Sequence, residues 1–270
     1  MRPGRSRGQT RLASRLTPLA DARGSETARP ARRIKIEVAY DGGPYHGWQV
    51  QPDLPTIQGL LEEAVSEIEG QRVHVAGSGR TDAGVHALAQ VAAFTLENPI
   101  PPVNLRRALN RLLPPAIRVL SAEEVHTHFH PRFDAKAKTY EYRISREEVC
   151  SPFEWPWVHH YPYPLIEDRM IRLAAAFEGE HDFTVFAAAD DRDEKGHSKV
   201  RTIYRSEITI GRGRLLYRVR GSGFLKHMVR NLVGTLLEAG KGNIDDLSVL
   251  PTKSGPTAPA KGLFLIAVEY

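Results

Sequence analysis

The sequence holds one cysteine, Cys150. That excludes an intramolecular disulfide and any cysteine-built metal cage, and it suits a reducing compartment, so a cytoplasmic setting is expected. No apolar run approaches the roughly 20 residues that cross a bilayer as a helix. The apolar core of a secretory signal is missing too. Gly77-x-Gly79 lacks the third glycine of a dinucleotide loop, and no Gly-Lys-Ser/Thr phosphate loop occurs. No cofactor is therefore expected. The aromatic string that marks one common RNA-binding sheet is also absent. His126, His128 and His130 alternate along the chain, but no fourth ligand is evident among their neighbours, and no metal is expected.

At 270 residues the chain is one large domain or two small ones, with enough length for a sizeable core. The net charge of +5 misleads until it is divided. Residues 1–33 carry nine arginines against Asp21 and Glu26, so this segment is +7 and the remainder is −2. The segment is rich in Arg, Ser, Pro and Gly, without apolar periodicity, and reads as a disordered basic tail. Its acid-poor composition also fits an organellar transit peptide. A folded part without net positive charge must concentrate its bases locally if it binds nucleic acid.

From residue 34 the patterning becomes regular. Ile34 to Tyr40 alternates as a strand, and Thr56 can cap a helix striped by Ile57, Leu60, Leu61, Ala64, Val65 and Ile68. Strands are expected at Val73 to Ala76 and Ala89 to Leu96. A helix follows, striped by Leu105, Ala108, Leu109 and Leu112 and stopped by Pro114-Pro115, then a strand from Ile117 to Ala122. The second half repeats the order. Strands are expected over Thr139–Ser145, Val200–Ile210, Leu215–Arg220 and Leu263–Val268, with helices around Ile166–Phe177 and Leu225–Leu237. Each half reads β-α-β-β-α-β. The expected fold is α+β: two ferredoxin-like halves, 34–130 and 131–270, whose antiparallel sheets join around a central cleft.

Between the second and third strands lies Gly77-Ser-Gly-Arg-Thr-Asp-Ala-Gly-Val-His-Ala87. One carboxylate, Asp82, sits on a glycine-flanked loop. Such a loop can present a nucleophile to a bulky substrate. A bare Arg-Thr-Asp would more often be a turn with a surface arginine.

Five further blocks stand in order around this one. They are Tyr40-Asp-Gly-Gly-Pro-Tyr-His-Gly-Trp-Gln49, with Thr56-Ile-Gln-Gly59 after it; Phe129-His-Pro-Arg-Phe-Asp-Ala-Lys-Ala-Lys-Thr-Tyr-Glu-Tyr142; His181-Asp-Phe-Thr184; Phe224-Leu-Lys-His-Met-Val-Arg-Asn231; and Gly255-Pro-Thr-Ala-Pro-Ala-Lys-Gly-Leu263. Together they make the chain, from Ile34 to Tyr270, resemble the TruA family of tRNA pseudouridine synthases. Two peripheral departures are Ala187-Ala-Ala189, where the family often has a basic residue, and the short segment from Asp246 to Lys253.

The resemblance implies an isomerase that converts uridine to pseudouridine in the anticodon arm of tRNA, at positions 38, 39 and 40, without metal or cofactor. It implies a homodimer bridged by tRNA. Asp82 would be the nucleophile and Arg230 its cationic partner. Arg80 would meet RNA phosphate or hold the target base out. Tyr140 would stack on the uracil and contact the C5 proton, and Leu263 would lie under the base. Lys136, Lys138, Lys226 and His227 are candidate phosphate contacts. A catalytically silent RNA-binding module of the same fold is the alternative, and a base-excising hydrolase a third reading.

Overall fold

The computed structural model describes residues 30–189 and 196–270. Most of the expected tail, residues 1–29, lies outside the described residues. The first strand, β1 (Arg32–Tyr40), starts two residues earlier than the patterning suggested. Arg33 pairs with Thr95 on one side and Val125 on the other. The Arg32 guanidinium donates to the carbonyls of Asn98 and Ile100. Both arginines therefore belong to the fold. Residues 1–31 are left with seven arginines against Asp21 and Glu26, and residues 32–270 balance at zero charge.

The helix α1 (Ile57–Glu69) starts where expected, with Thr56 Oγ1 accepting the Gly59 amide at 3.3 Å, and Gly70 ends it. The strand expected at Val73–Ala76 shrinks to β2 (Ala76–Gly77). Side chains of α1 take the backbone bonds that a strand would need: Ser66 accepts from Val73, Glu62 from Val75, and Gln58 donates to the Val75 carbonyl. β3 (His86–Leu96), α2 (Pro102–Leu112) and β4 (Ile117–Val125) complete the first half. The second contains β5 (Ala137–Ser145), β6 (His159–His160), α3 (Glu167–Ala176), β7 (Gly179–Asp182), β8 (Val200–Gly211), β9 (Arg214–Gly221), α4 (Met228–Gly240) and β10 (Leu263–Glu269). The short β6 and β7 were not legible in the pattern. The helix expected from Leu225 starts only at Met228, because His227 adopts a left-handed φ of 60°.

The strands form a single ten-stranded sheet in the order β4-β1-β3-β10-β5-β9-β8-β7, with β2 beside β3 and β6 beside β5. The last strand thus lies in the middle. β10 runs antiparallel to β5 along its length, from Leu263 opposite Tyr142 to Glu269 opposite Ala137. Its parallel contact with β3 is far shorter, Phe264 with His86 and Leu265 with Ala87. Farther along the same edge β3 pairs with β2, at Ala92 and Ala93. The sheet therefore forks. β3 continues with β2 on one prong, β10 and β5 form the other, and the Asp82 loop occupies the wedge.

One contiguous apolar core runs through both halves. α4 is buried almost all round, including Met228, Leu232, Val233 and Leu236. It crosses the 255–258 segment backbone on backbone. A methyl group on Gly234 would stand 1.8 Å from the Pro256 carbonyl oxygen. Gly234→Ala should therefore destabilise the protein by about 1–3 kcal/mol through overpacking, read as a lower denaturant midpoint. An unchanged midpoint would mean that the crossing can open without cost.

Candidate active site

The Asp82 loop is anchored at nearly every residue. Gly77 lies against the buried Trp48 indole. Ser78 is fully buried, its amide donating to the Val91 carbonyl and its hydroxyl to Gln90 Oε1 at 2.5 Å. Gln90 Nε2 donates to the Gly79 carbonyl at 3.0 Å. Thr81 pairs its hydroxyl with Tyr40 at 2.8 Å and accepts the Trp48 amide on its carbonyl at 3.0 Å. Gly47 has φ +87°, and a methyl there would stand 2.7 Å from the Thr81 carbonyl oxygen. The first sequence block is thus the floor under the loop that carries Asp82. Neither Gln90 nor Tyr40 stood out in the sequence as a loop anchor, although Tyr40 opens the first block.

The loop leaves the Asp82 carboxylate partly open, with its side chain 25% exposed. Arg230 from α4 donates through Nη1 to Oδ2 at 3.1 Å, and its Nε donates to the Ala258 carbonyl at 2.8 Å. The guanidinium is therefore fixed by two bonds in its own plane, an arrangement an ammonium cannot copy. His227 Nε2 stands 3.5 Å from the same oxygen, within ion-pair reach when the ring is protonated. Its left-handed backbone is an uncommon conformation for a non-glycine residue. The expected phosphate contact at His227 is thus, in the free protein, a neighbour of the acid.

Tyr140 is buried on β5, edge-on to Phe224 at 5.1 Å between ring centroids. Burial raises its phenol well above the ordinary tyrosine value, and the nearby Tyr40 and Asp82 push the same way. At neutral pH it is therefore an O–H group and not a phenolate, suited to stacking and donating. Burial pushes Tyr40 up to about 12 as well, opposed by its bonds to Thr81 and Gln90. Leu263 opens β10 opposite Tyr142, and Leu265 sits opposite Tyr140, so the two leucines share the tyrosines' face of the sheet.

The remaining expected contacts divide. Arg80 is exposed at the rim, its Nε donating to Gln49 Oε1 at 3.1 Å. Lys136 is exposed at the entry to β5. Lys226 donates from Nζ to the Ala189 carbonyl at 3.1 Å. Lys138 turns inward to the Ser78 carbonyl at 2.6 Å, and burial lowers its ammonium to about 8, with Arg132 adding to the shift. The alternating histidines are used locally: His130 Nδ1 accepts the amides of Arg132 and Phe133, while His126 meets the edge of Phe129.

A carboxylate held by a fixed guanidinium, beside a buried phenol and open on one side, can add to or deprotonate an electrophilic ring or sugar brought to it. Comparison with known proteins narrows this general capacity. The sequence profile of the tRNA pseudouridine synthases matches residues 36–134 and 173–270. The tRNA pseudouridine synthase A of Solibacter usitatus (strain Ellin6076) is 74% identical over 239 residues, covering 88% of this chain and all of that protein. That of Brevibacillus brevis (strain 47) is 41% identical over 246 residues, with 88% of this chain and 100% of that protein covered. An archaeal box H/ACA sRNP Nop10-Cbf5 complex structure shares 17% identity, covering 76% of this chain and 43% of that one at a TM-score of 0.33, too slight a likeness to argue from. With a profile match across both halves and full-length relatives of this identity, the chain belongs to the tRNA pseudouridine synthase family.

Proposed function

We infer that this protein isomerises uridine to pseudouridine in tRNA. The ribose C1′–N1 bond breaks and a C1′–C5 bond forms. N1 gains a proton and C5 gives one up, so composition and mass do not change. The observation that carries the reading is the Asp82 carboxylate, paired with Arg230 in a family member 74% identical to a full-length tRNA pseudouridine synthase A.

Asp82 is the reacting carboxylate, and Arg230 fixes its orientation. Tyr140 and Leu263 take the uracil on the face they share, and Arg80 meets RNA at the rim. Residues 34–130 and 131–270 are two ferredoxin-like halves. The strand orders β4-β1-β3-β2 and β10-β5-β9-β8 support that reading, since they repeat one arrangement. The substrate region is the anticodon arm, where bases near the stem–loop junction are extruded at a cost of only a few kcal/mol. The working form is a cytoplasmic homodimer, as the family resemblance implies.

The test incubates the purified protein with an unmodified tRNA transcript. Carbodiimide labelling and primer extension then map pseudouridine, while chromatography looks for free uracil. The expected result is labelled uridine in the anticodon arm, an unchanged RNA mass and no uracil. Released uracil would make the protein a base-excising hydrolase. RNA that is bound but unaltered at saturating protein would make it a binding module.

A further inference from the structure

The fork in the sheet brings one residue of the second half against the loop of the first. β10 leaves β3 after Leu265 but stays beside β5, where Val268 pairs with Lys138. Ser78 directly follows β2, on the other prong. Lys138 crosses the wedge, with Nζ 2.6 Å from the Ser78 carbonyl oxygen. Gly79 makes room for it, because a methyl at that position would stand 2.9 Å from Nζ. The other polar groups of Ser78 already bond within the first half, to Val91 and Gln90.

We propose that Lys138 is a positioning residue: its ammonium holds the Ser78 carbonyl and so sets the backbone that places Asp82 against Arg230. The proposal rests on Asp82 being the reacting group. It replaces the expected role of Lys138 as a phosphate contact. Three residues separate Ser78 from Asp82, and two of them, Gly79 and Thr81, are bonded to buried neighbours, so a shift at Ser78 passes along the loop. A displacement of about 1 Å in a reacting group can cost roughly a hundredfold in rate. The ammonium also supplies the only bond given to the Ser78 carbonyl by the second half among the described residues. It therefore couples the relative position of the halves to the catalytic loop.

The test uses the full chain with Lys138→Met, which keeps an apolar stem and removes all three donors, and Lys138→Arg, which restores donors. For Lys138→Met the expected result is a kcat at least about tenfold lower, on the 1.4 kcal/mol-per-decade scale. The KM for tRNA and the salt slope of tRNA binding should not change. Lys138→Arg should recover part of the rate. Backbone amide exchange over residues 79–85, measured without RNA, should be faster in Lys138→Met than in the unmodified protein. A phosphate contact predicts the reverse pattern: weaker binding, a salt slope smaller by about one and unchanged exchange. That pattern, or a wild-type kcat in Lys138→Met, would overturn the proposal. Exchange reads the clamp without any reaction. If the unmodified protein forms no pseudouridine, the functional reading fails by itself, and unchanged exchange in the variant separately sinks the clamp.

Discussion

Asp82→Asn is expected to abolish turnover while leaving tRNA binding intact. Asparagine has nearly the volume of aspartate, and its carbonyl oxygen can still accept from Arg230 Nη1, which stands 3.1 Å from Oδ2 in the native site. The loop anchors at Ser78, Gly79 and Thr81 do not involve the carboxylate, so the fold should survive. What disappears is the negative charge that either adds to the substrate or takes its proton. Loss of a group that forms or breaks bonds costs orders of magnitude in kcat, so a fall of at least about a thousandfold is expected. The check is carbodiimide mapping under single-turnover conditions beside a filter-binding isotherm. Residual turnover within about tenfold of the unmodified protein would remove Asp82 from the chemistry.

Arg230→Met should have the next largest effect. The native guanidinium is only 15% exposed and divides its donors between Asp82 and the Ala258 carbonyl. Methionine fills much of the space but leaves the carboxylate without its guanidinium partner, with the His227 ring 3.5 Å away. The rate should fall about a hundredfold or more, as for other preorganised charges in a site. The acid limb of the pH–rate profile should move to higher pH, because removing the cation disfavours the ionised form of the acid. Arg230→Lys should rescue in part, since an ammonium cannot span both acceptors in one plane. If Arg230 instead binds RNA phosphate, the profile stays in place, binding weakens and the salt slope drops. An unshifted profile with a normal maximal rate at saturating tRNA would falsify the ion-pair role.

The parts of the molecule that were legible in the sequence are those set by local physics. The stripe from Ile57 to Ile68 with Thr56 before it specifies a helix and its start, because a 3.6-residue period and a cap need only near neighbours. The pairing of Asp82 with Arg230 came from blocks of sequence, not from spacing, since the two lie far apart along the chain. The length of β2 was not legible. Val73 and Val75 look like strand residues, yet Ser66 and Glu62 of the preceding helix compete for their amides. Nor did the pattern show that β10 sits centrally, because its parallel contact with β3 extends over only two residue pairs. The contact of Lys138 with Ser78 was not legible for a related reason. A lysine near the start of a strand looks solvated, and only the fork brings it to a buried carbonyl. Arg32 and Arg33 were assigned to the tail because composition does not reveal where backbone pairing starts.

The separation of 148 residues between Asp82 and Arg230 also bears on how the protein comes into being. Helices such as α1 close over a few positions and can form within microseconds. Contacts between distant parts of a chain must first meet the entropy of closing a long loop, and they delay folding accordingly. β3 meeting β10 is such a contact, and so is the carboxylate meeting its guanidinium. A half-folded chain would thus show most of its helix while its acid still lacked the cation. After dilution from denaturant, the ability to modify RNA should return with the slowest phase, later than the helical signal. The distance along the chain acts as a timer, giving the protein its reactivity only when both halves have found one another.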